Sequence, residues 1–257
     1  GVVSLMYANS ETGTIFPIPE AAELTAARGA ILHVDAVQAV GKIPIDLARL
    51  PLHYLSFSGH KLHGPKGIGV LYARRGTPFR SPLGGRQERG RRSGTENVPG
   101  IVGLGMACEL AGKHIQDENT RVRALRDKLE AGLLRAVPDS RVNGDLTNRL
   151  PNTANISFKY VEGEAILLLL DQQGICASSG SACASDSLEP SHVLRAMGVP
   201  FTFAHGSVRL SLSRYTTEAE IDRTLEVLPR AIARLREISP YRDAPDTQAA
   251  SQPALSC

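Results

Sequence analysis

The chemistry of this 257-residue chain centres on one lysine and one cysteine. Lys61 closes the tetrad Ser58-Gly59-His60-Lys61, where the apolar run Tyr54-Leu55-Ser56-Phe57 gives way to a Gly/Pro-punctuated turn. An amine becomes a useful nucleophile when burial or neighbouring charge draws its pKa down from about 10. A lysine at the mouth of a strand, between small residues and beside a histidine, is placed for that, the alternative being an ordinary solvated loop lysine. Cys183 lies near the centre of a stretch of small polar residues, Ser178 to Ser187, which cannot pack a core. Its thiol is therefore expected to be reachable, as a thiolate nucleophile must be. Cys108 in an apolar helical stretch and Cys176 in an expected strand read instead as buried, inert thiols.

Upstream, Leu32-His33-Val34 delivers Asp35, with Gln38 three residues on. Ligands of open α/β sheets gather beyond the carboxyl ends of the strands, so Asp35 and Lys61 are expected to face one crevice. A carboxylate that pairs with a pyridinium nitrogen and a lysine that condenses with an aldehyde are the minimum set for pyridoxal phosphate. Arg209, inside the alternation Ser207-Val208-Arg209-Leu210-Ser211, is on spacing alone as well explained by an edge strand facing solvent as by a functional role. His33, His60 and His63 gather near Asp35, but their spacing fits no common metal-ligand pattern, and the cysteines form no C-x-x-C pair. His192 and His205 read as structural.

The elements that must position these residues follow from period and punctuation. Residues 2–8 read as a buried strand and 9–13 as a turn; residues 19–28 read as a helix with Pro19 near its start and Gly29 as its stop. Strands ending at Asp35 and near Ser58, and a further one over 67–74, predict a mostly parallel sheet covered by helices. Residues 82–97 are arginine-rich but glycine-broken and without aromatic stacking partners, which suits a solvated or subunit-bridging loop better than nucleic acid. Helices are expected over about 99–114 and 119–136. After a boundary near residue 118 comes a smaller α+β unit, with strands over 154–159, 174–177 and 206–211 and a helix over 164–172. Its last helix opens on a capping box, Thr217 with Glu220, and runs to about Ile238. The expected domains are thus 1–118, 119–240 and a disordered tail over 241–257.

A hydrophobic share of 42%, a charged share of 21% and a net charge of +3 are those of a soluble globular protein and give no argument for nucleic acid. No apolar run of membrane-spanning length and no signal peptide is visible, and a few unpatterned cysteines suit a reducing, cytoplasmic compartment. The start at Gly1 suggests a fragment.

Four separated motifs, HVDAVQAVGK, SFSGHKLHGPKGIGVLY, GGRQERGRRSGTEN and SSGSACASDSLEPSHVLRAMG, resemble in content and order the cysteine desulfurases of the NifS/IscS group, in the class V aminotransferase branch of pyridoxal phosphate enzymes. ERGRRSGTENVPGIVGLG and RLPNTANISF lean towards its nitrogen-fixation side, and the resemblance runs from Gly1 to about Tyr241. It implies the α/β fold type I of pyridoxal phosphate-dependent transferases, a homodimer, and conversion of L-cysteine to L-alanine with sulfur passed to a NifU/IscU-like iron-sulfur scaffold protein. Lys61 would hold the cofactor and exchange the proton at the substrate Cα. Asp35 would pair with the ring nitrogen, Gln38 with the ring hydroxyl, and Ser58, Gly59 and His60 would cradle the phosphate, with Thr95 reaching the phosphate of the partner subunit. Arg209 would hold the substrate carboxylate. Cys183 would carry the persulfide and, transiently, an iron-sulfur cluster. The family pattern Asn-Asn-Glu-x-Gly stands here as Asn9-Ser10-Glu11-Thr12-Gly13, which puts Ser10 at a cofactor position. The family's N-terminal portion, with its phosphate loop and ring-stacking histidine, has no counterpart in these residues. Other readings left open are a different class V enzyme such as a selenocysteine lyase, and an inactive fragment; the Cys183 loop argues against an aminotransferase.

Overall fold

The computed structural model describes residues 1–180 and 190–240, and the chain divides into two compact units. The first comprises Gly1–Asn9 and Ile15–Asn119; the second joins the strap Ser10–Thr14 to the chain from Thr120 onward.

In the first unit β1 (Val2–Met6), β2 (Ile31–Asp35), β3 (Tyr54–Ser58) and β4 (Gly69–Ala73) form one sheet in that order. β1, β2 and β3 run parallel. The crossover from β1 to β2 is α1 (Ile18–Ala27), which has proline in its first turn and Gly29, at φ 61, just past its end. β4 returns antiparallel to β3, because only a 3₁₀ turn (Gly59–Leu62) and a Gly/Pro turn join them, too little chain for a crossover. Strand alternation sends Leu32, Val34 and Leu55 into a core with Ile18 and Ala22 of α1. The opposite face is polar: Ser4 Oγ and His33 Nδ1 are 2.8 Å apart, and His33 Nε2 and Ser56 Oγ 3.1 Å. α2 (Gln87–Gly90) is a single turn interrupted by left-handed Glu88 and Arg89, inside the stretch expected to be loop. α3 (Val98–Asp117) is capped by Asn97, whose side chain accepts from the Gly100 N–H at 3.1 Å, and its Ala107 and Ala111 pack on Leu62.

In the second unit β5 (Ser140–Val142), β6 (Thr153–Phe158) and β7 (Ser207–Ser211) form an antiparallel sheet with β6 central. α4 (Arg123–Ala136), α5 (Gly163–Asp171), α6 (His192–Ala196), α7 (Phe201–Ala204) and α8 (Glu218–Ile238) complete it. Its core joins Leu129 and Leu133 of α4, Ile156 and Phe158 of β6, Ile166 and Leu170 of α5, and Leu228 of α8. The capping box at Thr217 and Glu220 forms as its sequence predicts.

Four local expectations change. The strand expected to be buried over residues 2–8 is mostly exposed in β1, with Val2 69% and Met6 45% exposed. The strand over 174–177 does not form: Gly174 turns left-handed (φ 71) and the chain meets β7 only at Ser178, through reciprocal backbone bonds with Arg209. The helices expected to break near 115–118 are joined by a π-helical turn, Glu118–Val122, where the Asn119 amide donates to the carbonyls of Ile115 and Lys42 at 2.8 Å each. β5, too short and polar to show a strand period, was not anticipated. No helix among the described residues is long and apolar enough to cross a membrane.

Candidate functional site

The carboxyl ends of β2 and β3 lie side by side because the strands are parallel and in register, with Asp35 opposite Ser56. Asp35 is exposed there, and its Oδ1 accepts the Val37 N–H at 2.9 Å, an Asx-type turn that orients the carboxylate at the strand end. The backbone on either side stays in the sheet: Tyr7 N–H donates to Asp35 O at 2.7 Å and Ala36 N–H to Ser56 O at 2.8 Å. Gln38 is half-buried in the turn that follows.

At the end of β3 the chain tightens at once into the 3₁₀ turn, and Ser58 Oγ comes 2.7 Å from His60 Nδ1. Two features hold this turn. Leu62 is buried against α3, and Gly59 is packed so closely that a Cβ would stand 2.9 Å from Ile68 Cγ2 and 3.2 Å from the carbonyl oxygens of Ile68 and Pro65. Gly59 is thus a residue the local packing requires. With Leu62 inward, His60 and Lys61 are exposed. The described residues therefore do not bury Lys61.

A hydroxyl and an imidazole 2.7 Å apart suit a phosphate, the Lys61 amine next in the chain suits an aldehyde, and an oriented carboxylate on the neighbouring strand suits a protonated ring nitrogen. That donor set fits pyridoxal phosphate. Thr95 lies in the exposed stretch before Asn97. His33 uses both ring nitrogens on Ser4 and Ser56, a structural role. Among the described residues no group of three or more His, Cys, Asp and Glu side chains is placed to hold a metal ion.

Ser10 and Arg209 belong to the second unit. Arg209 is half-buried on β7 and its Nη1 donates to the Ser10 carbonyl at 2.8 Å, so it is not a solvated edge residue. The strap is stitched at two more points, Asn155 Nδ2 to Glu11 O at 3.1 Å and Leu150 N–H to Gly13 O at 2.8 Å. Asn155 is itself held in a buried polar set in which Asn143 Nδ2 donates to Asn155 Oδ1 at 2.8 Å and to Ser157 Oγ at 2.7 Å. The sequence reading passed over Glu11, Asn143 and Asn155; the one available signal was an asparagine amid the apolar run of a strand.

Cys183 lies outside the described residues. Cys108 is half-buried, and burial pushes its thiol up from the ordinary range, which suits the inert role. Cys176 is exposed, because the strand expected to hide it does not form.

Comparison with known proteins places these features. The class V aminotransferase family model matches residues 1–224. The cysteine desulfurase NifS of Azotobacter vinelandii is 65% identical over 241 residues, 93% of this chain and 60% of that protein. A cysteine desulfurase of a Nostoc species is 63% identical over 94% of this chain and 61% of its own length. Among solved structures, a NifS-like protein aligns at 40% identity with a TM-score of 0.83, covering 91% of this chain and 61% of that one. Another from Rickettsia africae aligns at 34% identity and a TM-score of 0.82, over 90% and 62%. The chain spans about 60% of the length of the curated relatives it matches.

Proposed function

The chain belongs to the class V aminotransferase family and shares the fold of NifS-like proteins, and on that premise we propose that it is the greater part of a pyridoxal phosphate-dependent cysteine desulfurase. The observation that supports this best is the grouping of Asp35 with Ser58, His60 and Lys61 at the carboxyl ends of two adjacent parallel strands. The net reaction is L-cysteine plus the Cys183 thiol to L-alanine plus a Cys183 persulfide.

When bound, the pyridoxal ring supplies an electron sink that stabilises negative charge at the substrate Cα. Lys61 holds the cofactor and then moves the proton at Cα, a role an exposed amine at the mouth of β3 can reach. Asp35, oriented by the Val37 N–H, keeps the ring nitrogen protonated. Ser58 and His60, whose side chains stand 2.7 Å apart, would hold the phosphate; Gly59 lets the turn close, and Thr95 would serve the phosphate of the partner subunit. Gln38 and Ser10 flank the ring, and Arg209 takes the substrate carboxylate. Cys183 thiolate attacks the substrate sulfur: the S–S bond forms as the substrate C–S bond breaks, and the released carbon takes a proton to give alanine. The persulfide then passes to an iron-sulfur scaffold protein, in the cytoplasm, from a homodimer.

Visible absorption with added pyridoxal phosphate, before and after L-cysteine, tests the reading. A Lys61-dependent band that changes with cysteine is expected, with sulfide and alanine formed in equal amounts. Cys183→Ala is expected to keep the band and lose sulfide release by at least about a hundredfold. Undiminished sulfide from that variant would remove Cys183 from the reaction, and a band unaltered by Lys61→Ala would remove Lys61.

A further inference from the structure

We propose that Asn155 is a positioning residue for Arg209, working through the strap Ser10–Thr14; this rests on the reading of Arg209 as the group that takes the substrate carboxylate. The two residues stand directly opposite each other where β6 pairs with β7. Arg209 turns its own N–H and carbonyl away from β6, donating the first to Ser178 O at 2.6 Å and accepting the Ser178 N–H at 3.1 Å with the second. Asn155 and Arg209 are therefore a non-hydrogen-bonded pair of the antiparallel ladder, the kind in which facing side chains come closest, and both leave the sheet on the same side. On that side they reach the strap at consecutive residues: Arg209 Nη1 donates to Ser10 O at 2.8 Å and Asn155 Nδ2 to Glu11 O at 3.1 Å. The sheet fixes the backbone of Arg209, and its guanidinium is seated on a carbonyl whose neighbour in the strap is held by Asn155.

Asn155 can do this in one orientation only. Its Oδ1 accepts from Asn143 Nδ2 at 2.8 Å, which leaves its Nδ2 to face the strap. Asn143 is held in turn, its Nδ2 also donating to Ser157 Oγ at 2.7 Å and its backbone N–H to Asn155 O at 2.8 Å. Asn143, Asn155 and Ser157 are all buried, and Asn143 Oδ1 has no hydrogen-bond partner among the described residues. Stability alone would favour apolar side chains at such positions. What the polar set supplies is direction: an aimed donor that holds the strap, and through the strap an arginine whose long side chain would otherwise sample many rotamers. An arginine already oriented grips a carboxylate without that ordering cost. Loss of Asn155 should therefore weaken substrate binding and leave the cofactor site as it was.

Hydrogen exchange across residues 10–14 of the 257-residue chain reads the strap without turnover. The dissociation constant of L-cysteine, taken from its change of the pyridoxal phosphate band, reads the consequence for Arg209, with cysteamine, which is cysteine without its carboxylate, alongside. Asn155→Ala is expected to speed strap exchange about tenfold and to weaken L-cysteine about tenfold, with cysteamine affinity and the cofactor band within about twofold of the parent. Asn143→Ala keeps Asn155 and frees its amide to turn, so the same changes are expected at about threefold. In an Arg209→Ala background the further loss on Asn155→Ala is expected to vanish, because both act on one contact with the substrate. Strap exchange unmoved in both asparagine variants would overturn the hold on the strap. Faster exchange with unchanged L-cysteine affinity, an equal loss for cysteamine, or additive losses with Arg209→Ala would overturn the positioning of Arg209. A parent that binds L-cysteine and makes no sulfide would defeat the desulfurase reading, while exchange and affinity still decide the role of Asn155. A parent whose band does not answer L-cysteine would remove the premise, and the proposal with it.

Discussion

β6 and β1 are strands of similar length with opposite surroundings. All six residues of β6 are buried, because β5 and β7 pair with it on either side and its two faces meet the helices and the strap. β1 is the edge of its sheet, with Val2 69% and Met6 45% exposed. The second unit has thus assembled a closed core, whereas the first places its reactive side chains on exposed strand ends over a core that lies on one sheet face only. Substitution should register this contrast most strongly at Phe158, which is fully buried: Phe158→Ala is expected to cost about 3–5 kcal/mol in urea unfolding, against less than about 0.5 kcal/mol for Met6→Ala. Comparable costs at the two positions would break the comparison.

The units also bury charge differently. In the second, Arg149 and Glu130 meet as a fork, with Nη1 to Oε1 at 2.7 Å and Nη2 to Oε2 at 2.6 Å, their side chains 8% and 7% exposed. In the first, Lys42 reaches Glu118 through one oxygen at 2.9 Å, and the other oxygen, Oε2, has no hydrogen-bond partner among the described residues. Arginine cannot shed its proton, so Glu130→Ala leaves a buried cation with the longer 3.8 Å ion pair to Asp127 in place of the fork, and is expected to cost about 3 kcal/mol. Lys42→Met leaves the Glu118 carboxylate buried without its cation but breaks a single contact in place of two, and is expected to cost about 2 kcal/mol. Denaturation midpoints of both variants, with unchanged m-values, check the order; the reverse order would mean that the fork is worth no more than the single contact.

The architecture of the first unit was legible because period and punctuation agree there: an apolar run, a polar residue at its end and a glycine or proline turn recur at Asp35 and at Ser58. The placement of Asp35, Ser58, His60 and Lys61 at or just beyond those strand ends was legible for the same reason. What could not be read depends on partners distant in sequence. Glu11 looks like any turn glutamate until Ser191 arrives from 180 residues away, and Asn155 is explained only by Asn143, Ser157 and the strap. The strand expected over 174–177 failed for a related reason. Ile175 and Ala177 pack against the core as a strand's residues would, but backbone pairing there reduces to Ser178 against Arg209. Likewise Asn119 signalled a helix boundary, and tertiary bonding turned the break into a π turn.

Helix starts give the finest version of the contrast. α1 opens after Pro17 with no side-chain cap, whereas α8 opens on a full box: Thr217 Oγ1 accepts the Glu220 N–H at 3.3 Å and Glu220 Oε2 accepts the Thr217 N–H at 2.7 Å. Thr217→Ala is accordingly expected to cost about 1 kcal/mol, a loss with no counterpart at Pro17. The hydrogen bond from the Thr217 backbone, helped by the Thr217 hydroxyl, holds the Glu220 carboxyl below its ordinary 4.5. With the folded value the lower one, the unfolded chain binds the proton first as the medium is acidified. The contribution of the Glu220 charge is therefore complete above pH 4.5 and fades as pH falls through the folded value. Glu220→Gln removes the charge and keeps an acceptor, so its small deficit against the parent at about pH 7 is expected to close as pH falls below 4.5 and through the folded value. A deficit that persisted in acid would assign the box to neutral hydrogen bonding alone, and the two helix starts would then differ in donors and acceptors without differing in charge.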